Sequence, residues 1–136
     1  MEIEIKADNR KAVLQEMEKS IIIALEKCGM AGEGYAKDNL TQKHHVDTGN
    51  LRNSVTYKVD EKEPAVYIGT NVEYGKYIEF GTGKYAEGGR KTSWAYQDAN
   101  GDWHRTEGMQ PDPWLKPAVS DNIDTYKAIF KNALME

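Results

Sequence analysis

Apolar residues recur every three or four positions in the first part of the chain, which is the spacing of one face of an α-helix. Asp8 comes before them and offers a side chain that can cap a helix. The pattern predicts a long first helix from about Asn9 to Lys43. The apolar stripe consists of Leu14, Met17, Ile21, Leu25 and Cys28.

Three glycines, Gly29, Gly32 and Gly34, interrupt this helical pattern. Each lowers helix stability by about 1 kcal/mol relative to alanine. One interpretation keeps a single long helix, with small residues where another element packs closely. The other breaks the helix near Gly29 and resumes it toward Tyr35. We favour the long helix, with or without a kink.

Strict alternation of apolar and polar residues marks the predicted strands. Ile3 and Ile5 alternate with charged residues at the start of the chain. Residues 55–59 alternate in the same way, and Ala65 to Thr70 gives a further strand after a turn at 61–64. The latter two strands are predicted to pair antiparallel.

Helical signals return in two later segments. Residues 71–80 predict a short helix with Tyr74, Tyr77 and Ile78 on one side. Asp112 and Pro113 suit a helix start, and Pro117 predicts a restart, because an interior proline removes a backbone hydrogen bond. A closing amphipathic stripe follows, formed by Val119, Ile123, Tyr126, Phe130 and Leu134.

The glycine-rich segment from about 81 to 111 contains a predicted β-hairpin. Asn100-Gly101 is a strong signal for a two-residue turn. That turn would place Asp98 opposite Trp103 and Tyr96 opposite Arg105. Trp94, Tyr96, Trp103 and Arg105 would then share one face, because strand side chains alternate. Such a face can be a contact surface or can fold back on the core, and both alternatives stay open.

Size and charge narrow the class of protein. A chain of 136 residues predicts one domain, 1–136, with the 81–111 segment as a flexible or assembly loop. The net charge is −4, without the basic surplus typical of nucleic-acid binders. The longest apolar run, Ile21 to Leu25, is too short to span a bilayer. The start of the chain lacks the pattern of a secretion signal. The single cysteine excludes a disulfide within the chain.

Candidate catalytic patterns are incomplete. Gly81-Thr82-Gly83-Lys84-Tyr85 lacks two residues of a phosphate-binding loop, since Ile78 and Tyr85 stand where a glycine and a hydroxyl residue belong. His44 and His45 are adjacent, whereas helical metal ligands usually lie three or four residues apart. We therefore expect no catalytic residue, no cofactor and no metal.

Three ordered segments carry a resemblance to a known family. The first is Asp47-Thr48-Gly49-Asn50-Leu51-Arg52-Asn53-Ser54. The second is Val66-Tyr67-Ile68-Gly69 leading to Tyr74-Gly75-Lys76-Tyr77-Ile78-Glu79-Phe80-Gly81-Thr82-Gly83. The third is Pro111-Asp112-Pro113-Trp114-Leu115-Lys116-Pro117-Ala118. Together they resemble the tail-component family typified by gene product ten of Hong Kong 97-type phages. Trp114 departs from the pattern, in which phenylalanine is more usual.

The resemblance implies an α+β fold, with a long N-terminal helix and a C-terminal helix packed on a small antiparallel β-sheet, and an extended loop carrying the hairpin. It implies a structural phage or prophage protein, not an enzyme, for tail completion or head–tail joining. Expected partners are further copies in a ring and neighbouring head-connector and tail-tube or terminator proteins, with no nucleic-acid specificity and no membrane. The expected location is the tail or neck of the virion, assembled in the bacterial host cytoplasm.

Two sets of residues follow from this hypothesis. The expected assembly contacts are Tyr74, Tyr77, Phe80, Trp94, Tyr96, Trp103, Arg105 and Trp114. The expected structural turn or cap positions are Asp47, Thr48, Gly49, Gly81, Pro113 and Pro117. Two alternatives remain. One is a small metal-dependent hydrolase or nuclease using His44, His45, Asp47 and His104. The other is a monomeric peptide-binding module.

Overall fold

The first helix, α1, is continuous from Ala7 to Gln42 in a computed structural model that describes residues 7–43 and 49–135. Its 36 residues span about 54 Å, which confirms the long helix. The glycines within it allow close packing. A side chain at Gly29 would collide with the ring of Tyr57, and one at Gly32 would collide with Ile68.

The predicted pair of strands is confirmed with slightly shifted ends. Strand β1 runs from Thr56 to Asp60 and β2 from Ala65 to Gly69. They pair antiparallel, with Thr56 opposite Gly69 and Asp60 opposite Ala65. The face that carries Tyr57 and Ile68 packs against α1. The strand expected at Ile3 and Ile5 lies outside the described residues.

Two short helices flank this sheet in sequence. Helix α2 spans Asn50–Ser54, directly after Gly49, and α3 spans Glu73–Phe80. The predicted short helix at 71–80 is confirmed, although it begins two residues later. Its buried residues are Gly75, Ile78 and Glu79, whereas Tyr74 and Tyr77 are exposed. Apolar spacing missed this arrangement because a glycine and a carboxylate occupy the inner side.

The chain closes with two helices, α4 at Lys116–Ser120 and α5 at Ile123–Met135. The expected helix start at Asp112 and Pro113 is wrong, since the first helical residue is Lys116 and Pro117 lies in the first turn. The closing stripe is only partly right. Tyr126 and Phe130 are half-buried and Ala133 is buried, but Val119, Ile123 and Leu134 are exposed.

The core lies around the C-terminal half of α1. There the fully buried side chains are Ala36, Leu40, Leu51, Val55, Ile78, Trp114 and Ala118. The N-terminal half of the helix is different. Leu14 and Met17 are largely exposed, so the predicted stripe contributes buried side chains only from Leu25 and Cys28. Within the described chain, the first turns of α1 therefore carry an apolar face without a partner.

The architecture confirms the α+β class, with helices packed on a two-stranded antiparallel sheet and a separate two-stranded hairpin in the 81–111 segment. None of the helices in the described ranges combines the length and the apolar character needed to cross a bilayer.

Candidate assembly surface

The hairpin predicted in the loop exists, but its register differs from the expectation. Strand β3 spans Trp94–Gln97 and β4 spans Trp103–Thr106. Trp94 lies opposite Thr106, and Gln97 lies opposite Trp103. The connection is therefore the five residues 98–102 instead of a two-residue turn at Asn100-Gly101.

Asp98 is the cause of the longer connection. Its Oδ1 accepts the backbone N–H groups of Asn100 and Asp102, each at 2.9 Å. Its own backbone N–H donates to the carbonyl of Asp102 at 2.9 Å. Gly101 adopts φ 87°, a left-handed conformation that glycine accepts without strain. A turn followed by a left-handed glycine is a common longer hairpin connection.

The shifted register divides the expected aromatic face into two. Tyr96 lies opposite His104, and their rings stack with centroids 5.3 Å apart. Trp94 is on that same side, because alternate residues of a strand share a face. Trp103 and Arg105 lie on the other side of the hairpin. The prediction that all four share one face is wrong.

The hairpin is not part of the subunit core. In the described residues, β3 and β4 have each other as their main packing partners. Trp103 is 70% exposed, and Tyr96 and Arg105 are exposed as well. Trp94 is half-buried, with the guanidinium of Arg90 5.6 Å from its ring centroid. The alternative in which the hairpin folds back on the core is therefore not the observed one.

The base of the loop is held closed by hydrogen bonds between its two ends. The N–H of Thr82 donates to the carbonyl of Met109 at 2.8 Å, and the N–H of Lys84 donates to the carbonyl of Glu107 at 3.0 Å. Lys84 also forms an ion pair with the Glu107 carboxylate at 2.5 Å, which raises the pKa of the lysine. The hairpin thus extends from a closed base.

Gly81 ends α3 at the start of this base. It adopts φ 78°, and its N–H donates to the carbonyl of Tyr77 at 2.8 Å. A Cβ at Gly81 would lie 2.7 Å from the carbonyl oxygen of Met109. The glycine is needed both for its left-handed backbone and for the close approach of the chain segment after β4.

Helix α3 presents a second group of exposed aromatic side chains, Tyr74, Tyr77 and Phe80. The Tyr77 hydroxyl donates to Glu73 at 2.7 Å, and this hydrogen bond raises the pKa of the tyrosine. Phe80 has no polar group and is 64% exposed. Exposed large apolar side chains of this kind are typical of surfaces that bind another protein.

Trp114, also expected as a contact, lies in the core instead at 1% exposure. Its indole N–H donates to the backbone carbonyl of Gly75 at 3.0 Å. Gly75 has no room for a side chain, since an added Cβ would lie 2.7 Å from Leu51 and 3.1 Å from Trp114. One residue from each of the three sequence segments therefore meets at this point, and Trp114 is not available to a neighbouring subunit.

Glu79 forms hydrogen bonds at the same place. One of its carboxylate oxygens accepts the N–H groups of Trp114 and Leu115, at 2.7 and 2.9 Å, and the other accepts the N–H of Lys116 at 2.9 Å. These donors precede or begin α4, where N–H groups have no partner within the helix. We define Gly75, Glu79 and Trp114 as the junction.

Glu79 is absent from the residues predicted to be structural. Its partners are backbone groups 35 to 37 residues later, so no local pattern records the contact. One signal indicates that such a residue is needed. The segment before α4 supplies no side-chain cap of its own, and the first N–H groups of a helix need hydrogen-bond acceptors.

The candidate metal ligands are only partly described. His44, His45, Asp47 and the expected cap Thr48 lie outside the described residues. His104 Nε2 lies 2.6 Å from Asp98 Oδ2, and this contact is the main reason why the pKa of Asp98 is lowered. Residues 7–43 and 49–135 contain no group of three potential metal ligands.

Cys28, the single cysteine, is buried between α1 and α5. Its Sγ lies 4.0 Å from the carbonyl oxygen of Tyr126. Burial raises the pKa of the thiol, and a raised pKa lowers the fraction of the nucleophilic thiolate. Cys28 therefore acts as a small core residue.

Comparison with known proteins gives one match. A family model described as "Bacteriophage HK97-gp10, putative tail-component" matches residues 5–81. No curated protein matches, and no solved structure matches. The matched region contains α1, the β1–β2 sheet, α3 and two of the three junction residues. It covers more than half of the 136 residues, and the chain belongs to this family of bacteriophage tail components.

Proposed function

We propose that the protein completes the tail or joins head and tail of a phage particle, through ring-like self-association and contact with neighbouring virion proteins. The observation that carries this proposal is the exposure of Trp103 and Phe80, two large side chains that the subunit does not bury. Interfaces between proteins are enriched in such aromatic residues. In a tail component, neighbouring proteins of the virion would cover these two side chains.

The position of the exposed aromatic residues supports assembly into a ring. Trp103 lies on the hairpin, whereas Phe80 and the neighbouring tyrosines lie on α3. Two different surfaces on one subunit are what a head-to-tail contact requires, and a head-to-tail contact that closes generates a ring. Residues 11–19 of α1, which are exposed in the described part of the chain, offer a third surface with apolar side chains.

The proposed partners are further copies of the chain, together with head-connector and tail-tube or terminator proteins. The proposed location is the neck or tail of the virion. The role is a structural one, performed by geometric fit and not by catalysis. A hydrolase using the histidines, or a monomeric peptide-binding module, has no specific observation in its favour among the described residues.

Sedimentation velocity over a range of protein concentrations, combined with electron microscopy, tests the proposal. We expect ring-shaped oligomers of the chain, alone or after mixing with isolated tail tubes or portal-bearing heads. A protein that stays monomeric at every concentration and binds neither tails nor heads would contradict it.

A further inference from the structure

We propose that the Trp103 and Arg105 face of the hairpin of one copy inserts into the groove between α1 and the β1–β2 turn of the next copy. This inference rests on the proposed function, and it specifies which two surfaces form the contact between copies.

The groove is a concave apolar surface on the side of the sheet. It has a volume of about 1000 Å³ and lies between the N-terminal half of α1 and the turn after β1. Its apolar lining comes from Ile21, Ile22, Ile23 and Pro64. Three consecutive helical residues point in directions about 100° apart, so one sheet cannot cover all three. Ile23 accordingly remains 52% exposed.

The rim of the groove, taken together with the neighbouring Glu16, carries more carboxylate groups than ammonium groups. Glu18 and Glu61 line it together with Lys19 and Lys62. Lys19 is paired with Glu16 at 3.5 Å. Among the ion pairs of the described residues, none involves Glu18, Glu61 or Lys62. Together with the neighbouring Glu16, the rim carries three carboxylates and two lysines, so an incoming cation meets a net negative charge.

The hairpin face has the complementary chemistry. Trp103 and Arg105 are two residues apart on β4 and therefore point to the same side. The Nε of Arg105 donates to Ser93 at 3.1 Å, which orients the side chain and leaves its terminal nitrogens able to bind a carboxylate. A tryptophan beside an arginine is a common composition for the energetic centre of an interface.

A second copy of the chain is the occupant that these features favour. The Trp103 and Arg105 face of the hairpin and the groove are different surfaces of the same subunit. A contact between them is therefore head-to-tail and can continue around a ring. A second apolar groove is lined by Val13, Met17 and Leu134. Among its described lining residues Glu16 is the only acidic one, and it is paired with Lys19. This second groove lacks the charge to select Arg105.

Disulfide cross-linking between two variants tests the contact directly. One chain carries Asp102→Cys, next to Trp103, and a differently tagged chain carries Gln15→Cys in the groove lining, so that Trp103 and the isoleucines stay in place. The native Cys28 is buried, so the wild-type chain provides the background. We expect the mixed cross-linked dimer in a yield at least tenfold above that of an Asp102→Cys and Tyr67→Cys mixture. Tyr67 is the matched control because it is 60% exposed on the outer face of the sheet.

Self-association measured by sedimentation gives the second readout. Trp103→Ala is expected to weaken it about thirtyfold, the effect of losing an interface hot spot, whereas Tyr67→Ala changes it less than about threefold. Arg105→Glu should also weaken self-association, and mixing that variant with a Glu18→Arg, Glu61→Arg chain should restore it. Far-UV circular dichroism checks that each variant is folded.

The outcomes separate this inference from the proposed function. Wild-type oligomers that persist in Trp103→Ala, without the specific cross-link, overturn the inference and leave the function standing. Normal self-association of Trp103→Ala with lost binding to tails or heads also overturns it, because the hairpin would then bind another virion protein. Absence of any self-association by the wild-type chain, with no binding to tails or heads, overturns both.

Discussion

Trp114 and Trp103 are eleven positions apart and lie in regions of opposite character. Trp114 is enclosed, with its indole N–H bonded to Gly75 and its backbone N–H bonded to Glu79. Trp103 stands on a hairpin whose two strands pack mainly on each other. A resemblance carried by sequence motifs therefore locates the framework of the subunit, whereas Trp103, the most exposed of the three tryptophans, lies in the segment between the second and third motifs.

Matched alanine substitutions of the two tryptophans are the strongest test of this difference. Trp114→Ala should lower the free energy of unfolding by about 3–5 kcal/mol, the usual cost of emptying a buried aromatic site. Trp103→Ala should change it by less than about 0.5 kcal/mol, as for most surface substitutions. Urea unfolding followed by circular dichroism measures both. A loss above about 2 kcal/mol for Trp103→Ala would place the hairpin in the core.

Removing the Glu79 carboxylate tests whether the junction depends on hydrogen bonds as well as on packing. Glu79→Ala leaves three backbone N–H groups without their acceptor, and we expect a loss of about 3–5 kcal/mol. Glu79→Gln should lie between this variant and the wild type, because one amide oxygen can still accept the N–H groups of Trp114 and Leu115. The same unfolding experiment measures both variants. Equal stability of alanine and glutamine variants would show that packing alone holds the segment before α4.

The regular elements were predictable because their signals are local. The helical spacing identified α1, and alternation identified β1 and β2 to within one residue at most ends. The packed length of α1 was not predictable in the same way. Leu14 and Leu25 fit one stripe equally well, but among the described residues Leu25 is buried whereas Leu14 is 58% exposed.

The errors in the candidate site arose where side chains control the backbone. The sequence Asn100-Gly101 alone favours a tight turn, but the carboxylate of Asp98 captures two N–H groups and lengthens the connection. The one-residue shift then moved Trp103 and Arg105 to the opposite face from Tyr96. Long-range contacts such as Glu79 with the start of α4 leave even less trace in a single sequence.

A smaller effect is expected at the glycine of the junction. Gly75→Ala places a Cβ 3.0 Å from Thr70 and 2.7 Å from Leu51. The destabilisation from overpacking should exceed the stabilisation from higher helix propensity. We expect the free energy of unfolding to fall by about 1–2 kcal/mol. Gly34→Ala is the control, because its added Cβ would meet no atom within 4 Å. It should stabilise α1 by about 0.5–1 kcal/mol. Thermal unfolding measures the stability of both variants. A Gly75→Ala variant that is also more stable than the wild type would contradict the tight packing of the junction.

The smallest effect concerns the hairpin and its dependence on pH. The pKa of Asp98 is lowered, first by its hydrogen bond with His104 and then by the backbone N–H of Asp102. A lowered folded-state pKa means that the stabilisation is present above the unfolded value of about 3.9 and is lost as the pH falls through the folded value. The hairpin should therefore loosen only below about pH 4.

The indole N–H signals in nuclear magnetic resonance spectra can follow the two regions separately during an acid titration. We expect the Trp103 signal of the wild-type chain to shift toward that of an unstructured chain below about pH 4. Asp98→Asn, which removes the titrating carboxylate but keeps an oxygen that can accept the turn N–H groups, should abolish the separate Trp103 step. A Trp103 signal that shifts at the same pH in the wild type and in Asp98→Asn would contradict the role of the Asp98 carboxylate in holding the hairpin connection.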